Sequence, residues 1–288
     1  MHVAQLWQYP VKSMIGVTVD RAEVHEAGMA GDRAWAVRDE ERGGIRGAKK
    51  IGELMQLAAR YPTTGPTTGW GVVEIELPDG SIVRSTDVDV DARLSAALGH
   101  RVTLWPLQPA ADLDHYRRGG PDSDDVMTEL MGIFGREVGE PLPDFSIFPP
   151  EIMEFESPPG TYLDAYPLLV MTTSALRSLQ RALPDSAIDV RRFRPNIVID
   201  TGDVEGHPEF EWVTQQLHIG DVVLDIVDMC PRCVMVTREV THDVPIDRTI
   251  LRHVVRDLDQ NLGVYAVVSV AGAITTGSPV TLTGPGPC

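Results

Sequence analysis

Length, composition and charge exclude several classes of protein. The chain has 288 residues, of which 43% are hydrophobic and 23% charged, so it can bury a large core without disulfide or metal cross-links. Its 25 Lys and Arg against 42 Asp and Glu give a net charge of −17, which would repel nucleic acid. No apolar run reaches the roughly 18 residues of a membrane span, and MHVAQLWQYPVKS lacks a signal-peptide pattern. We expect a cytoplasmic protein without nucleic-acid or membrane partners.

The N-terminal third alternates apolar and polar residues in the manner of β-strands. Strands are predicted at AQLWQYPV, TVDRAEVH, RAWAVRDE and VVEIEL, and Asp-Gly in LPDGS predicts a hairpin turn. IGELMQLAARY predicts a short helix, and DARLSAALG predicts another that ends at Gly99. This pattern is typical of a meandering antiparallel unit.

Residues 106–160 break this regularity. They contain the proline-rich stretches GGPDSDD, GEPLPD, FPPE and SPPG, and only VMTELMGIFG is dense enough in apolar residues to predict a helix. We interpret this range as a connecting segment, either a surface linker or a lid.

Regular patterns return after residue 160. AYPLLVMTTSALRSLQRAL predicts a strand and then a helix that is capped by Thr172, Thr173 or Ser174. The free amide hydrogens of such a helix start would also favour a phosphate. PNIVID, LHIGDVVLDIVD, IDRTILRHVVRDLDQN, GVYAVVSV and PVTLTG then predict a strand, a hairpin, a helix and two closing strands. Many short strands with interspersed helices indicate a mixed α+β fold built around β-barrel-like sheets.

Two cysteines in DMCPRCVMVT have the Cys-x-x-Cys spacing of zinc, redox and haem sites. With Cys288 the chain has three cysteines, too few for an ordinary iron–sulfur cluster. Beside Cys230 and Cys233, a tetrahedral zinc site would need two more ligands from His242, His253 or Cys288, and these lack zinc-finger spacing. A structural zinc clip stays an alternative, as does a simple packing role for Cys230.

Cationic and polar side chains recur beside predicted strand ends. Taken singly, each is expected to face solvent and pair with a surface carboxylate, as Arg33 could with Asp32 or Asp39, while Tyr265 could simply fill a core. The side chains at these strand ends are Lys12, Ser13, Arg33, Arg194, Asn196 and Arg232.

Five motifs in one order resemble a known family. YPVKS, GDRAW, FRPNIVI, CPRC and LGVYA together resemble the MOSC proteins, named after the C-terminal domain of molybdenum cofactor sulfurase. Within that family the chain resembles the soluble bacterial members related to the mitochondrial amidoxime-reducing component. The resemblance covers nearly the whole chain. It implies an α+β protein with a smaller, mostly antiparallel β-barrel N-terminal domain at 1–105, the connecting segment 106–160, and a β-barrel-rich MOSC core at 161–285.

The resemblance also implies a cofactor and the residues that hold it. Members of that branch bind molybdenum through a pyranopterin dithiolene, in a phosphate or nucleotide form, and add one soft cysteine thiolate. The cysteine that follows Arg in the motif is Cys233, which is therefore the implied metal ligand and catalytic residue. Cations among the other positions would bind the cofactor's phosphate. The implied cofactor-binding residues are Lys12, Ser13, Arg33, Thr172, Thr173, Arg194, Asn196, Arg232 and Tyr265.

The implied activity is an oxidoreductase that reduces N-hydroxylated compounds or N-oxides by two electrons. The few residues after PVTLTG leave no room for a fused ferredoxin domain, so we expect a separate flavin, iron–sulfur or haem protein to supply electrons. The alternative function is a non-catalytic carrier of the molybdenum cofactor or of a persulfide on Cys233. A carrier would transfer its cargo stoichiometrically, whereas an enzyme would turn over.

Overall fold

The computed structural model describes residues 1–62 and 71–284, and it confirms the mixed α+β class. The strands are β1 (His2–Gln8), β2 (Val17–Val19), β3 (Arg21–His25), β4 (Gly28–Met29), β5 (Trp35–Asp39), β6 (Ile45–Arg46), β7 (Ala58–Arg60), β8 (Glu74–Glu76), β9 (Ile82–Arg84), β10 (Val102–Pro106), β11 (Leu168–Thr172), β12 (Ile197–Asp200), β13 (Gln216–Ile219), β14 (Val222–Pro231), β15 (Asn261–Val270), β16 (Gly272–Thr275) and β17 (Val280–Thr283). The α-helices are α1 (Val90–Leu98), α2 (Leu113–Tyr116), α3 (Val126–Phe134), α4 (Thr173–Ala182) and α5 (Arg248–Asp257). Short 3₁₀ helices lie at Gly52–Gln56, Phe145–Ile147, Pro150–Met153, Val190–Arg192, Pro208–Trp212 and Val234–Thr237.

One sheet of eight strands organises the C-terminal half. Its order is β17-β13-β14-β15-β11-β12-β1-β2, with β11 and β12 parallel and the other pairs antiparallel. Within the described residues its two edges, β17 and β2, are not joined by hydrogen bonds, so the sheet is open. All five residues of β11 are buried, in keeping with their continuous apolar run. The hairpin predicted at LHIGDVVLDIVD is confirmed as β13 and β14.

The N-terminal residues take part in sheets that the C-terminal half completes. Strand β1 pairs with β12, and β3 pairs with β16, although more than 180 residues separate the members of each pair in the chain. These pairings place Leu6 opposite Ile197, and beyond the end of β1 the Met14 carbonyl accepts a hydrogen bond from Arg194. The first residues of the chain are therefore held close to its C-terminal motifs.

A second core lies between the sheets β10-β5-β6 and β7-β8-β9 and helix α1. Helix α1 ends as predicted at Gly99, whose φ of 60° is left-handed. IGELMQLAARY is helical only in its first half, where Gly52–Gln56 forms a 3₁₀ helix; the helix prediction is wrong in its second half, which forms β7. The second half is extended because it pairs with residues from other parts of the chain. Strand β7 forms a ladder with β8, and the Ile15 amide donates to the Leu57 carbonyl at 2.9 Å. Local helix preference yields to these sheet contacts.

The proline-rich segment is docked on the body of the protein. Helix α3 forms where predicted, begins with a cap from Asp125 and ends at Gly135, whose φ is 61°. Arg252 of α5 then donates to the Gly135 carbonyl and pairs with Glu140. Among residues 1–62 and 71–284, no helix is long and apolar enough to cross a membrane.

Candidate functional site

A cavity of about 580 Å³ lies where the end of β1, the chain before β12, the Cys230–Cys233 loop and the proline-rich segment meet. Nine Lys or Arg residues line it, against four Asp or Glu, in a chain whose net charge is −17. It brings together eight of the ten site residues predicted from the sequence. These eight are Lys12, Ser13, Arg33, Arg194, Asn196, Arg232, Cys233 and Tyr265.

The two cysteines of the loop have different surroundings. Cys233 follows the end of β14, is half-buried and lines the cavity at the start of the 3₁₀ helix Val234–Thr237. Cys230 is buried, and its Sγ lies 3.1 Å from Nη1 of Arg232. Both thiols are free. Cys233 is therefore the more accessible ligand.

Arg232 is fixed between the loop and the neighbouring chain. Its Nη2 donates to the Phe193 carbonyl at 2.6 Å, and its guanidinium lies 5.5 Å from the centre of the Phe193 ring. Burial disfavours its charge, but the nearby Cys230 and Tyr265 outweigh this effect and raise the pKa of Arg232. The side chain stays charged at the cavity wall.

Arg194 provides a cation with unused hydrogen-bonding capacity. Its Nη1 donates to the Met14 carbonyl, and its guanidinium lies 4.3 Å from the centre of the Tyr9 ring. Nη2 is buried and has no hydrogen-bond partner among the residues that the structure describes. Burial lowers the pKa of Arg194 to about 10, so it is charged at neutral pH. A buried cationic N–H without an acceptor is costly unless a ligand supplies one.

Arg33 also lies over the Tyr9 ring, 5.3 Å from its centre. It pairs with Asp32 and donates to Oδ1 of Asn196 at 3.3 Å. The pairing with Asp32 agrees with the simple sequence interpretation, yet Arg33 also lines the cavity.

Lys12 is buried, with an exposed fraction of 3%. Its Nζ contacts Oδ1 of Asp164 at 2.7 Å, the Tyr162 carbonyl at 3.0 Å and Ser157 Oγ at 3.3 Å. Lys49 approaches the same carboxylate at 3.5 Å. Burial lowers the pKa of Lys12, whereas the two lysines outweigh burial at Asp164 and hold its pKa below the ordinary value. The expectation that these cations face solvent is wrong for Lys12, Arg194 and Arg232.

Three of the lining residues have an unusual backbone. Ser13, Arg33 and Arg194 have φ values of 67°, 49° and 58°, which lie in the left-handed region. Side chains other than glycine rarely adopt this region, and such residues cluster at functional sites. The local conformation thus aims these side chains at the cost of some backbone strain.

Thr172 and Thr173 are not brought to the cavity. Thr172 is fully buried, accepts from the Ala175 amide at 3.1 Å and donates to Oε2 of Glu209 at 2.7 Å. Thr173 donates to Asp200 at 3.2 Å. The helix-cap interpretation describes Thr172, because this side chain closes the start of α4 rather than a ligand site.

Several lining residues had no motif to signal them. Lys49, Asp164, Ala165 and Tyr166 line the cavity, and the ring of Tyr166 lies 5.0 Å from that of Tyr265. The pair of Tyr166 and Tyr265 follows from the register of β11 with β15, which places Leu169 opposite Tyr265. Only this pairing, which is remote in sequence, shows that the chain before β11 belongs to the site.

The lining fits an anionic, sulfur-ligated cofactor. Buried cations, the unpartnered Arg194 Nη2 and the open Cys233 thiol would match a phosphate and a soft metal respectively. A zinc clip lacks support in residues 1–62 and 71–284, where no three His, Cys, Asp or Glu side chains form a metal-binding group. His242 Nε2 donates to the Pro78 carbonyl, His253 lies 2.8 Å from Asp257, and Cys288 is outside the described residues.

Two family models and several known proteins match most of this chain. Residues 1–111 match the family model of the MOSC N-terminal beta barrel domain, and residues 158–281 match that of the MOSC domain. Mitochondrial amidoxime-reducing component 1 of Homo sapiens is 27% identical, over 98% of this chain and 83% of that protein. Mitochondrial amidoxime reducing component 2 of Homo sapiens is 26% identical, over 96% and 82%.

A solved structure of the YuaD protein from Bacillus subtilis is 10% identical, covers 98% of this chain and 94% of its own, and has a TM-score of 0.43. The two family models together span most of the sequence, and they match in the order that the five motifs imply. The chain therefore belongs to the MOSC-domain proteins, with a MOSC N-terminal beta barrel domain preceding the MOSC domain.

Proposed function

We propose that the protein is a molybdenum-cofactor oxidoreductase that reduces N-hydroxylated or N-oxide compounds. The observation that supports this most directly is the convergence of Cys233 with buried cations on one cavity. Family membership and the names of the human relatives favour the same chemistry. In the net reaction an N–OH group takes up two electrons and two protons, the N–O bond breaks, and N–H and water form.

The residues divide into a metal ligand and an anion clamp. Cys233 would supply the thiolate ligand, and the cofactor, when bound, supplies the two-electron redox chemistry. Arg194 and Arg232 would bind the phosphate with guanidinium N–H groups, and Lys12 would add a point charge from its buried position. Ser13, Arg33, Asn196 and Tyr265 would complete the lining.

Asp164 would offset part of the positive charge of this clamp. Its carboxylate pairs with Lys12 and lies near Lys49, so both lysine side chains are held in place before any ligand binds. Arg194 keeps its unpartnered Nη2 free for the ligand. The chain thus provides a preorganised anion site, and a separate flavin, iron–sulfur or haem protein would supply the electrons.

Metal and pterin analysis tests this proposal. Protein from a molybdate-replete host should contain near-stoichiometric molybdenum and pterin and should reduce an N-hydroxylated substrate with a chemical electron donor. Cys233→Ala should lose the activity, while Cys230→Ser, which keeps an acceptor for Arg232, should retain the metal. Metal-free protein in which wild type and Cys233→Ala are equally inert would overturn the proposal.

The same experiment separates the carrier alternative. A carrier would release one equivalent of cofactor or sulfane sulfur per chain and would show no turnover with any donor. Stoichiometric transfer without catalysis, lost in Cys233→Ala, would therefore replace the oxidoreductase by the carrier.

A further inference from the structure

One wall of the cavity is apolar and aromatic, in contrast to its cationic lining. Most of it comes from the proline-rich segment and the rest from Tyr166, which follows that segment; the side chains that form it are Leu130, Ile133, Phe134, Phe145, Phe148 and Tyr166. Phe145 and Phe148 are only half-buried, and Met153 beside them is 73% exposed. This aromatic wall is therefore open to the cavity rather than closed into a core.

The aromatic rings of the wall form a continuous series. Phe134 lies 5.7 Å from Phe145, and Phe145 lies 6.3 Å from Phe148, between ring centres. The Tyr166 hydroxyl donates to the Ile147 carbonyl at 2.6 Å, which fixes Tyr166 to the same segment. Rings at these separations offer faces and edges against which a flat aromatic group can pack.

Both ends of the aromatic wall reach the loop that contains Cys233. At one end Tyr166 lies against Tyr265, whose pKa is raised by burial and by the adjacent Cys230. At the other end Gly135 follows Phe134, and a Cβ placed on it would lie 3.2 Å from Cβ of Val234. The apolar wall is thus continuous with the proposed reaction site.

Two of the carboxylates near the aromatic wall are paired with cations. Glu129 pairs with Lys50, and Glu156 contacts Arg118 at 2.6 Å. The wall side chains themselves offer only apolar and aromatic contact. A pocket that combines apolar walls with a few convergent polar groups is typical of small-molecule sites.

We infer that the aromatic wall binds an aryl group of the substrate while its N-oxygenated end lies at Cys233. The inference rests on the proposed function and narrows its substrate class to N-hydroxylated compounds with a flat aromatic group. Hydroxylamine, which lacks any apolar part, would gain nothing from this wall.

Steady-state kinetics test the substrate preference. Wild type should have a KM for an N-hydroxylated naphthyl compound far below that for hydroxylamine. The double variant Phe145→Ala with Phe148→Ala should raise KM for the naphthyl compound about tenfold, which corresponds to about 1.4 kcal/mol. Its kcat, and its kinetics with hydroxylamine, should stay at the wild-type values. Val138→Ala, fully exposed on the same segment, is the control and should change neither.

A binding measurement separates this inference from the proposed function. 2-Naphthamide is not N-oxygenated, so its binding by calorimetry needs no turnover, and the double variant should bind it about tenfold more weakly than wild type. Weaker binding by the double variant would support aryl binding at the aromatic wall. If the protein were also inactive, only the proposed reductase function would be contradicted. If the enzyme is active and wild type and variant have equal KM and equal binding, the inferred role of the aromatic wall is wrong, while the proposed reductase function is unaffected. If the double variant does not fold, Phe148→Met keeps most of the volume and should weaken binding about threefold.

Discussion

The guanidinium of Arg136 lies with its Nη2 3.2 Å from the carbonyl oxygen of Arg232, the residue before Cys233. The same group donates to Gln260 Oε1 at 2.9 Å and to the Pro141 carbonyl at 3.0 Å. Burial lowers the pKa of Arg136 to about 10, so it is charged at neutral pH. Arg136 therefore ties the proline-rich segment to the backbone of the cysteine loop.

Replacing Arg136 should loosen that loop. Arg136→Met is expected to lower the free energy of unfolding by about 3 kcal/mol, because it leaves the buried Arg232 carbonyl without this donor. Arg136→Lys should restore only part of the loss, since an ammonium cannot reproduce the guanidinium fork. Urea unfolding and amide hydrogen exchange of residues 230–234 measure both effects. Unchanged exchange in Arg136→Met would contradict the positioning role.

The Lys12 and Asp164 pair can be measured by a double-mutant cycle. Asp164→Asn should lower the free energy of unfolding by about 2 kcal/mol, because it leaves a buried ammonium without its counter-charge; the 44% exposure of the Asp164 side chain reduces the effect. Lys12→Met should cost less, and adding Asp164→Asn to it should cost nothing further. Additive effects of the two changes would show that the pair is not coupled.

The pH dependence of this pair has a defined sign. Because the folded pKa of Asp164 lies below its ordinary value of 3.8, its stabilising effect is complete above pH 3.8 and is lost as the pH falls further. Acid unfolding of Asp164→Asn should therefore show a weaker dependence on pH below 3.8 than that of wild type.

Glu209 predicts the opposite dependence on pH. This fully buried carboxyl contacts Thr172, and burial raises its pKa to about 7 from an ordinary 4.5. The folded state then binds the proton more tightly, so stability falls as the pH rises from 4.5 to about 7. Glu209→Gln should be more stable than wild type at pH 8, by on the order of 3 kcal/mol, and the difference should shrink at pH 5. Thermal unfolding at both pH values measures this difference, and a difference of equal size at pH 5 and pH 8 would contradict the prediction.

Thr172 and Arg194 should separate stability from cofactor binding. Thr172→Val should lower the free energy of unfolding by about 2 kcal/mol, through loss of the α4 cap and the Glu209 contact, yet leave pterin per folded chain unchanged. Thr172→Ser keeps the hydroxyl and serves as the control. Arg194→Gln should lose pterin, because it removes the guanidinium whose Nη2 is free for the ligand. Equal pterin loss in Thr172→Val would return Thr172 to the cofactor site.

Much of the secondary structure followed from local patterns. The apolar spacing of DARLSAALG with Gly99 predicted α1, and alternation in LHIGDVVLDIVD predicted the hairpin of β13 and β14. The helix prediction for IGELMQLAARY was wrong because β7 pairs with β8 and with Ile15, which lie elsewhere in the chain. Thr172 and Thr173 were predicted to bind the cofactor but do not line the cavity. A helix start in the sequence indicates where backbone amides are free, not which side chains face a ligand.

The sequence by itself determined the α+β class, the order of the motifs and the family, because these depend on residue types and their spacing. Only the tertiary structure decided which side chains share a cavity. Strand pairings across the length of the chain bring Lys12, Arg194 and Cys233 together, and burial turns cations expected in solvent into a preorganised anion site. The aromatic wall could not be predicted from the sequence either. It comes largely from a segment that we interpreted as a linker or lid, and no local pattern encodes the distant surface on which such a segment docks.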